Sequence, residues 1–192
     1  ALTNNGKLYG TASRGGTYNQ GVIFEFDPST NILTKKIDLE VNNGGSPKGS
    51  LTLTNNGKLY GTMSRGGISY NGMLFEYDPS TNILTKKIDF DGTKGSVPNG
   101  SLIQISNEKL IGLTNLGGTS NMGVIFEYNL TTNTYIKTID FDGTEKGSLP
   151  LGSLMQASNG QLYGMTSKGG SFTTGVIFEY NATQKGPIYL LY

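Results

Sequence analysis

TNNGKLYGTMSRGGISYNGMLFEYDPSTNILTKKIDF, residues 54–90, decides how the whole chain is read. Most of it is already spelled upstream: TNNGKLYGTASRGG starts at Thr3 and FEFDPSTNILTKKIDL at Phe24. Tyr9, Tyr60, Ile111 and Tyr163 form one column, at spacings of 51, 51 and 52 residues. The pairs Gly15-Gly16, Gly66-Gly67, Gly117-Gly118 and Gly169-Gly170 keep that step, as do Glu25, Glu76, Glu127 and Glu179. A fixed period of this length marks a repeat architecture. Four units, about 1–49, 50–100, 101–152 and 153–192, use up the chain and leave no second domain.

The second unit shows the local grammar. Ser50 to Thr54 (SLTLT) alternates as a strand, a, and Asn56-Gly57 predicts a type I′ hairpin turn. Lys58 to Ser64 reads as strand b, and the loop RGGISYNG leads to strand c over Met73 to Tyr77. Asp78-Pro79-Ser80-Thr81-Asn82 is a turn in which Pro pre-sets φ and Asn tolerates a left-handed exit. Ile83 to Phe90 is strand d. No segment carries a 3.6-residue period, so essentially no helix is expected. Strand c has Met73, Phe75 and Tyr77 on one face and Leu74 on the other, so an isolated sheet would leave apolar surface wet. Neighbouring copies must cover it. The expected fold is all-β, a β-propeller of four-stranded antiparallel blades. A flat solenoid of the same units is the rival, and the strand count favours the propeller.

LYG-x-x-S-x-GG followed by FEYDPSTN and a further strand resembles the kelch motif, but the tryptophan that motif places in strand d is absent from the chain. The repeat is more similar to the bacterial Gloeo/Verruco-type tandem repeat. That signature, P-x-GSL, G-x-LYG, GG and G-x-IF, is matched at Pro98–Leu102, Gly160–Gly164, Gly169-Gly170 and Gly175–Phe178. The resemblance covers all four units. It implies a secreted or bacterial cell-surface protein of modular design, and the family has no agreed catalytic residues to carry over.

Composition narrows the chemistry. Fifteen basic and 14 acidic side chains leave a net charge of +1, without the basic footprint of a nucleic-acid binder. With no His and no Cys, Ser-His and Cys-His nucleophiles, disulfides and His- or thiolate-bound zinc are excluded. No apolar run reaches the roughly 18 residues of a spanning helix. The chain opens at Ala1 without Met or a signal-peptide pattern, which fits either a removed leader or a piece of a longer protein. Ala1 aligns with Thr52 and Tyr192 with Asp140, so the first unit lacks the Gly-Ser-Leu that starts strand a elsewhere. Four blades could close alone, or belong to a larger ring completed by further blades or a second chain.

Several motifs invite a functional reading and have a plainer one beside it. The strand-c glutamates could form a ring of carboxylates, but a residue present in every unit reads as structural, paired with Lys7, Lys58 or a Thr hydroxyl. DFDG at Asp89–Gly92 and Asp140–Gly143 suggests a calcium loop yet lacks the full ligand spacing, and reads as a strand end running into a polar turn. The double glycines match no nucleotide-binding pattern and serve a tight b–c connection. Asn129 and Asn181 fit the N-glycosylation acceptor but fall in the c–d turn column.

In an up-and-down blade, b–c and d–a connections emerge on one face, and here they are long and differ between units. Arg14, Arg65 and Lys168 share a column there with Leu116, and Tyr18, Tyr70 and Phe172 lie close by. Variable loops on a rigid scaffold suit recognition, and Arg with aromatic rings suits glycan or protein contacts. The expected function is therefore a non-enzymatic surface interaction module with no cofactor and no metal. Its expected partner is a protein of a cell-envelope complex or a surface glycan. A polysaccharide-acting propeller using carboxylates such as Glu40, Glu108 or Glu145 is the alternative, and a structural spacer or adhesin repeat the third.

Overall fold

The chain folds into four antiparallel sheets in the computed structural model, which describes residues 1–183 and 189–191; Gly45–Pro47 and Ser148–Pro150, at the ends of the expected first and third units, pair within the sheet that follows. The first sheet holds β1 (Leu8–Ala12), β2 (Val22–Asp27) and β3 (Ile32–Asp38). The second holds β4 (Gly45–Pro47), β5 (Thr52–Leu53), β6 (Leu59–Arg65), β7 (Met73–Asp78) and β8 (Ile83–Asp89). The third holds β9 (Ile103–Ser106), β10 (Lys109–Thr114), β11 (Val124–Asn129) and β12 (Thr134–Asp140). The fourth holds β13 (Ser148–Pro150), β14 (Met155–Gln156), β15 (Leu162–Lys168), β16 (Ile177–Tyr180) and β17 (Tyr189–Leu191). Among the described residues one 3-10 turn, Val41–Asn43, interrupts the all-β pattern, in the connection between the first two sheets. Tyr192 lies outside the described residues.

Strands b, c and d match their expected places closely; strand a does not. In the second blade it is two short pieces, β4 pairing with the upper half of β6 and β5 with the lower half. The reason is lateral. Ser50 N–H donates to Ser101 Oγ of the next blade at 2.8 Å, and Ser101 N–H donates to Ser153 Oγ at 2.8 Å. A Cβ on Gly49 would lie 2.5 Å from Gly100 O, and one on Gly100 only 1.9 Å from Gly152 O. The Gly-Ser segment thus leaves its own sheet to join successive blades at their inner edges. In the first blade strand a shrinks to a bridge between Leu2 and Leu8, leaving three strands.

The a–b hairpin also differs from its expected form. Gly57 N–H bonds Thr54 O at 2.9 Å and Gly57 has φ +79, but Asn55 and Asn56 keep negative φ. This is an ordinary turn followed by a glycine bulge, the three-residue hairpin, and not type I′. Asn56 Oδ1 stabilises it by accepting from Thr54 Oγ1 at 2.6 Å and Lys58 N at 3.0 Å. In the c–d turn Asn31, Asn82 and Asn133 take the left-handed exit at φ 58, 57 and 55.

The core lies between blades, as three separate clusters. Tyr9, Ile23 and Leu39 of the first blade meet Leu59, Met73, Phe75 and Tyr77 of the second. Tyr60, Leu74 and Phe90 meet Leu110, Val124, Phe126 and Tyr128 of the third. Ile111, Ile125 and Phe141 meet Leu162, Phe178 and Tyr180 of the fourth. Each sheet therefore has two apolar faces, one for each neighbour. The LYG motif belongs to this packing: a Cβ on Gly61 would lie 2.7 Å from Phe75 Cζ, so glycine lets the ring lie across strand b. Gly10, Gly112 and Gly164 repeat the arrangement with Phe24, Phe126 and Phe178.

Candidate functional site

The loop face is built on a clamp at the end of strand d. Asp38 accepts from Thr17 N at 2.9 Å and pairs with Lys35 at 2.6 Å. Asp89 and Asp140 do the same for the second and third loops, through Ile68 N at 3.3 Å with Lys86 at 2.7 Å, and Thr119 N at 2.9 Å with Lys137 at 2.8 Å. The lysine and backbone hydrogen bonds hold the Asp38 carboxyl below its ordinary range. Asp91 and Asp142, the second acids of DFDG, accept from Lys94 N at 2.8 Å and Lys146 N at 3.0 Å. Burial opposes ionisation of Asp91, but the Lys94 and Thr93 donors outweigh it and bring its pKa to about 2. DFDG is therefore a strand end and polar turn, its oxygens engaged by amides and lysines. The acceptor-like Asn129 is likewise a turn residue, its Oδ1 taking Thr131 N at 2.9 Å and Thr132 N at 2.8 Å.

Within each b–c loop the double glycine adopts positive φ, +84 and +78 at Gly66 and Gly67, and Gly72 N–H closes onto Gly66 O at 3.1 Å. The next d–a connection straps the loop down: Ser46 N, Val97 N and Leu149 N donate to Gln20 O, Asn71 O and Met122 O at 2.8, 2.8 and 2.9 Å. The straps hold Ser46, Val97 and Leu149 at φ 52, 54 and 54, a costly conformation for a β-branched residue. The first three loops of the face are tied both to their own blade and to the next, making a fixed platform; the fourth closes on itself through Gly175 N–H and Gly169 O at 3.0 Å.

On that platform Arg14, Arg65 and Lys168 are exposed, and Tyr18, Tyr70 and Phe172 are 55%, 68% and 84% exposed. Arg14 and Arg65 take part in none of the ion pairs found among the described residues, which run through lysines. Arg14 and Tyr18 stand on the first loop, Arg65 and Tyr70 on the adjacent second. Lys168 and Phe172 are two blades away, beyond a third loop carrying Leu116, Thr119 and Ser120, and so join no common cluster. Phe172 instead lines a shallow hollow of about 420 Å³ with Met165 and Ile177 on the outer face of the last blade. Tyr18 and Phe172 share a loop position, whereas Tyr70 sits one residue later, where Asn19 and Asn121 have φ 52 and 54. Those asparagines accept from Gly15 N at 3.0 Å and Gly117 N at 2.9 Å. Tyr70 holds φ 55 without an amide to make that bond.

The strand-c glutamates form the second polar feature, buried between blades. Glu76 pairs with Lys58 at 2.8 Å and Lys87 at 3.2 Å and accepts from the Tyr60 hydroxyl. Glu25 repeats this with Lys7 at 2.7 Å, Lys36 at 3.7 Å and Tyr9. Lys7 and Tyr9 hydrogen bonds lower the Glu25 pKa; burial opposes that trend at Glu76 but is outweighed by Lys58, Tyr60 and Lys87. The tyrosine from the next blade packs against this cluster, Tyr77 on Tyr9 with ring centroids 5.9 Å apart and Tyr128 on Tyr60 at 6.5 Å. Burial first, then the nearby carboxylate, raises the Tyr77 and Tyr128 hydroxyls to about 12. At the third interface Ile111 replaces the tyrosine, and Tyr180 of the last blade donates to Glu127 at 3.4 Å. The pairing with Lys7 and Lys58 was legible in the repeat; the Tyr hydroxyl and the neighbouring ring were not. Glu108 sits in an a–b hairpin, on the face opposite the d–a connections that carry Glu40 and Glu145.

Among solved structures, the chain is similar to TolB from Acinetobacter baumannii, at 14% identity and TM-score 0.58, covering 92% of this chain and 39% of that one. It is similar to the extracellular domain of BT4673 from B. thetaiotaomicron, at 17% identity and TM-score 0.64, covering 96% and 21%. A chain of the nidogen/laminin complex matches at 15% identity and TM-score 0.69, covering 99% and 62%. The chain thus spans less than two thirds of each, and at these identities the likeness speaks to the β-propeller fold alone. No curated protein matches it. No helix of the described residues is long and apolar enough to cross a membrane. With the repeat signature in every unit and a family match running over residues 1–192, the chain belongs to the Gloeobacter/Verrucomicrobia repeat family.

Proposed function

We propose that this propeller is a non-enzymatic interaction module of a secreted or bacterial cell-surface protein, binding a glycan or protein on its loop face. The observation that carries the reading is Tyr70. It is 68% exposed and held at φ 55, where the first and third loops use an asparagine that stabilises the same turn and the fourth uses the much smaller Thr173 at φ 57. A residue kept in a costly conformation without local benefit points to selection for what its side chain meets. Tyr70 supplies a ring for stacking, and Arg14 and Arg65 supply planar donors for hydroxyl, carboxylate or backbone oxygens. The straps mean that little loop entropy is lost on binding.

The test is a glycan array and an envelope-extract pull-down with the purified chain, alongside Arg65→Ala and Tyr70→Ala. Binding that falls at least about tenfold in both variants, a loss of about 1.4 kcal/mol, supports the loop face. Turnover of a polysaccharide by the purified chain would replace this reading with an enzymatic one. Binding that neither substitution changes would move the site elsewhere.

A further inference from the structure

Among the described residues of 1–192, the first and last blades each leave one face uncovered, and the two faces are the halves of the interface used between the blades. At the internal interfaces one side is built by Leu59, Met73, Phe75 and Tyr77, or their counterparts, all 0% exposed in the second blade. The first blade carries the same set as Leu8, Val22, Phe24 and Phe26, yet Leu8 is 39% exposed and the others only half-buried. The opposing side is built by Tyr60 with Leu74, or Ile111 with Leu113 and Ile125, all no more than 4% exposed. On the last blade the matching residues are Tyr163, Met165 and Ile177, with Met165 60% and Ile177 48% exposed. The inner seam tells the same story: Gly49 and Gly100 each abut the following blade's backbone, while the space a Cβ would fill at Gly152 is open.

We infer that the outer face of the last blade is a socket for the outer face of the first blade in a second copy of this chain, docked head to tail. The occupant follows from the residues. What fits against the corresponding face at all three internal interfaces, built by Tyr9 with Ile23, Tyr60 with Leu74 and Ile111 with Ile125, is a Leu-Phe face of the same repeat, and the first and second units are nearly identical in sequence. Phe26 stands where Tyr77 stands in the second blade, so its ring brings no second hydroxyl to the Tyr163 position, where Tyr163 already donates to Glu179 at 2.8 Å. Each copy carries one socket and one plug, so the contact is heterologous, and two copies would present eight blades, within the range over which propellers close.

Sedimentation of the 192-residue chain at tens of micromolar tests this. The expected result is a species of twice the mass of one chain. Met165→Glu and Leu8→Glu, each at a site already partly exposed, should weaken association by about thirtyfold or more. They should leave the circular dichroism spectrum unchanged. Mixed one to one, the two variants keep one intact plug and one intact socket between them and should recover a single contact. Phe172→Ser, which removes a ring 84% exposed at the socket rim, repeats the test with least risk to folding. A chain that stays monomeric at every concentration overturns the inference. So does a dimer broken by only one of the two glutamate variants, since that marks a symmetric contact, or protection of both faces from hydrogen exchange in a monomer, since that means the chain covers them itself.

Discussion

The interface between the second and third blades and the two outer faces of the molecule are written in nearly the same residues and end up in different physical states. Phe126 is 0% exposed, whereas Phe24, in the same column, is half-buried; Leu74 is 0% exposed and Ile177 48%. The motif supplies a ring, a glycine beneath it and a branched residue on the other face. Burial comes from whatever stands opposite. A blade is thus half of two cores, and its stability belongs to its neighbours as much as to itself.

The largest expected break in that contrast comes from the rings. Phe126→Ala should cost about 3–5 kcal/mol in urea unfolding, and Phe24→Ala less than half as much, because the first has a full shell of partners to lose. Equal losses would mean that the first blade's face is covered. Next is the inner seam. Gly100→Ala, whose Cβ meets backbone at 1.9 Å, should cost about 2–3 kcal/mol, near the upper end of overpacking. Gly152→Ala meets nothing within 4 Å and should cost only the left-handed backbone term of about 1 kcal/mol.

The buried carboxylates come third. Glu76→Gln should cost about 1.5 kcal/mol by weakening charge-assisted bonds to Lys58 and Lys87. The pKa values of Glu25 and Glu76 are depressed in the fold, so their contribution is complete above the unfolded value of about 4.5 and lost as pH falls through the lower folded value. Midpoints of unfolding should therefore drop below about pH 4 in the parent. Glu76→Gln should flatten that acid limb, and an unchanged limb would remove these glutamates from the explanation. Tyr77 and Tyr128, raised to about 12, act oppositely: their contribution holds below the ordinary value of 10 and is lost as pH rises towards 12. The smallest effect is at the loop face. Tyr70→Asn should raise stability by about 1 kcal/mol, by placing an amide-bearing residue at a left-handed φ, while lowering ligand binding. A loss of stability there would show that the ring packs on the platform.

Legibility tracked the range of the interactions. The c–d turn was readable because Pro79 and Asn82 act on their own backbone. The a–b turn is ambiguous in the sequence because Asn56-Gly57 is compatible with two hairpin geometries, and the side chain of Asn56, bonding Thr54 and Lys58, selects the bulged one. The alternation of SLTLT reads as one unbroken strand because nothing in it reveals that Gly49 packs, and Ser50 hydrogen-bonds, sideways against another blade. At the candidate site, Arg14, Tyr18, Arg65 and Tyr70 were visible as variable residues in long loops. Phe172 was grouped with them from loop position alone, whereas its surroundings tie it to the open end of the last blade.

Periodicity, turn chemistry and the two-faced strand c determined from the sequence alone that this chain is an all-β array of four units that must stack, because those signals act within a few residues along the backbone. Which faces are sealed, how the Tyr, Glu and Lys side chains assemble between blades, and which loop residues stand side by side were decided only by tertiary structure. Those properties arise between residues about fifty positions apart, and their energy exists only once two blades are in contact.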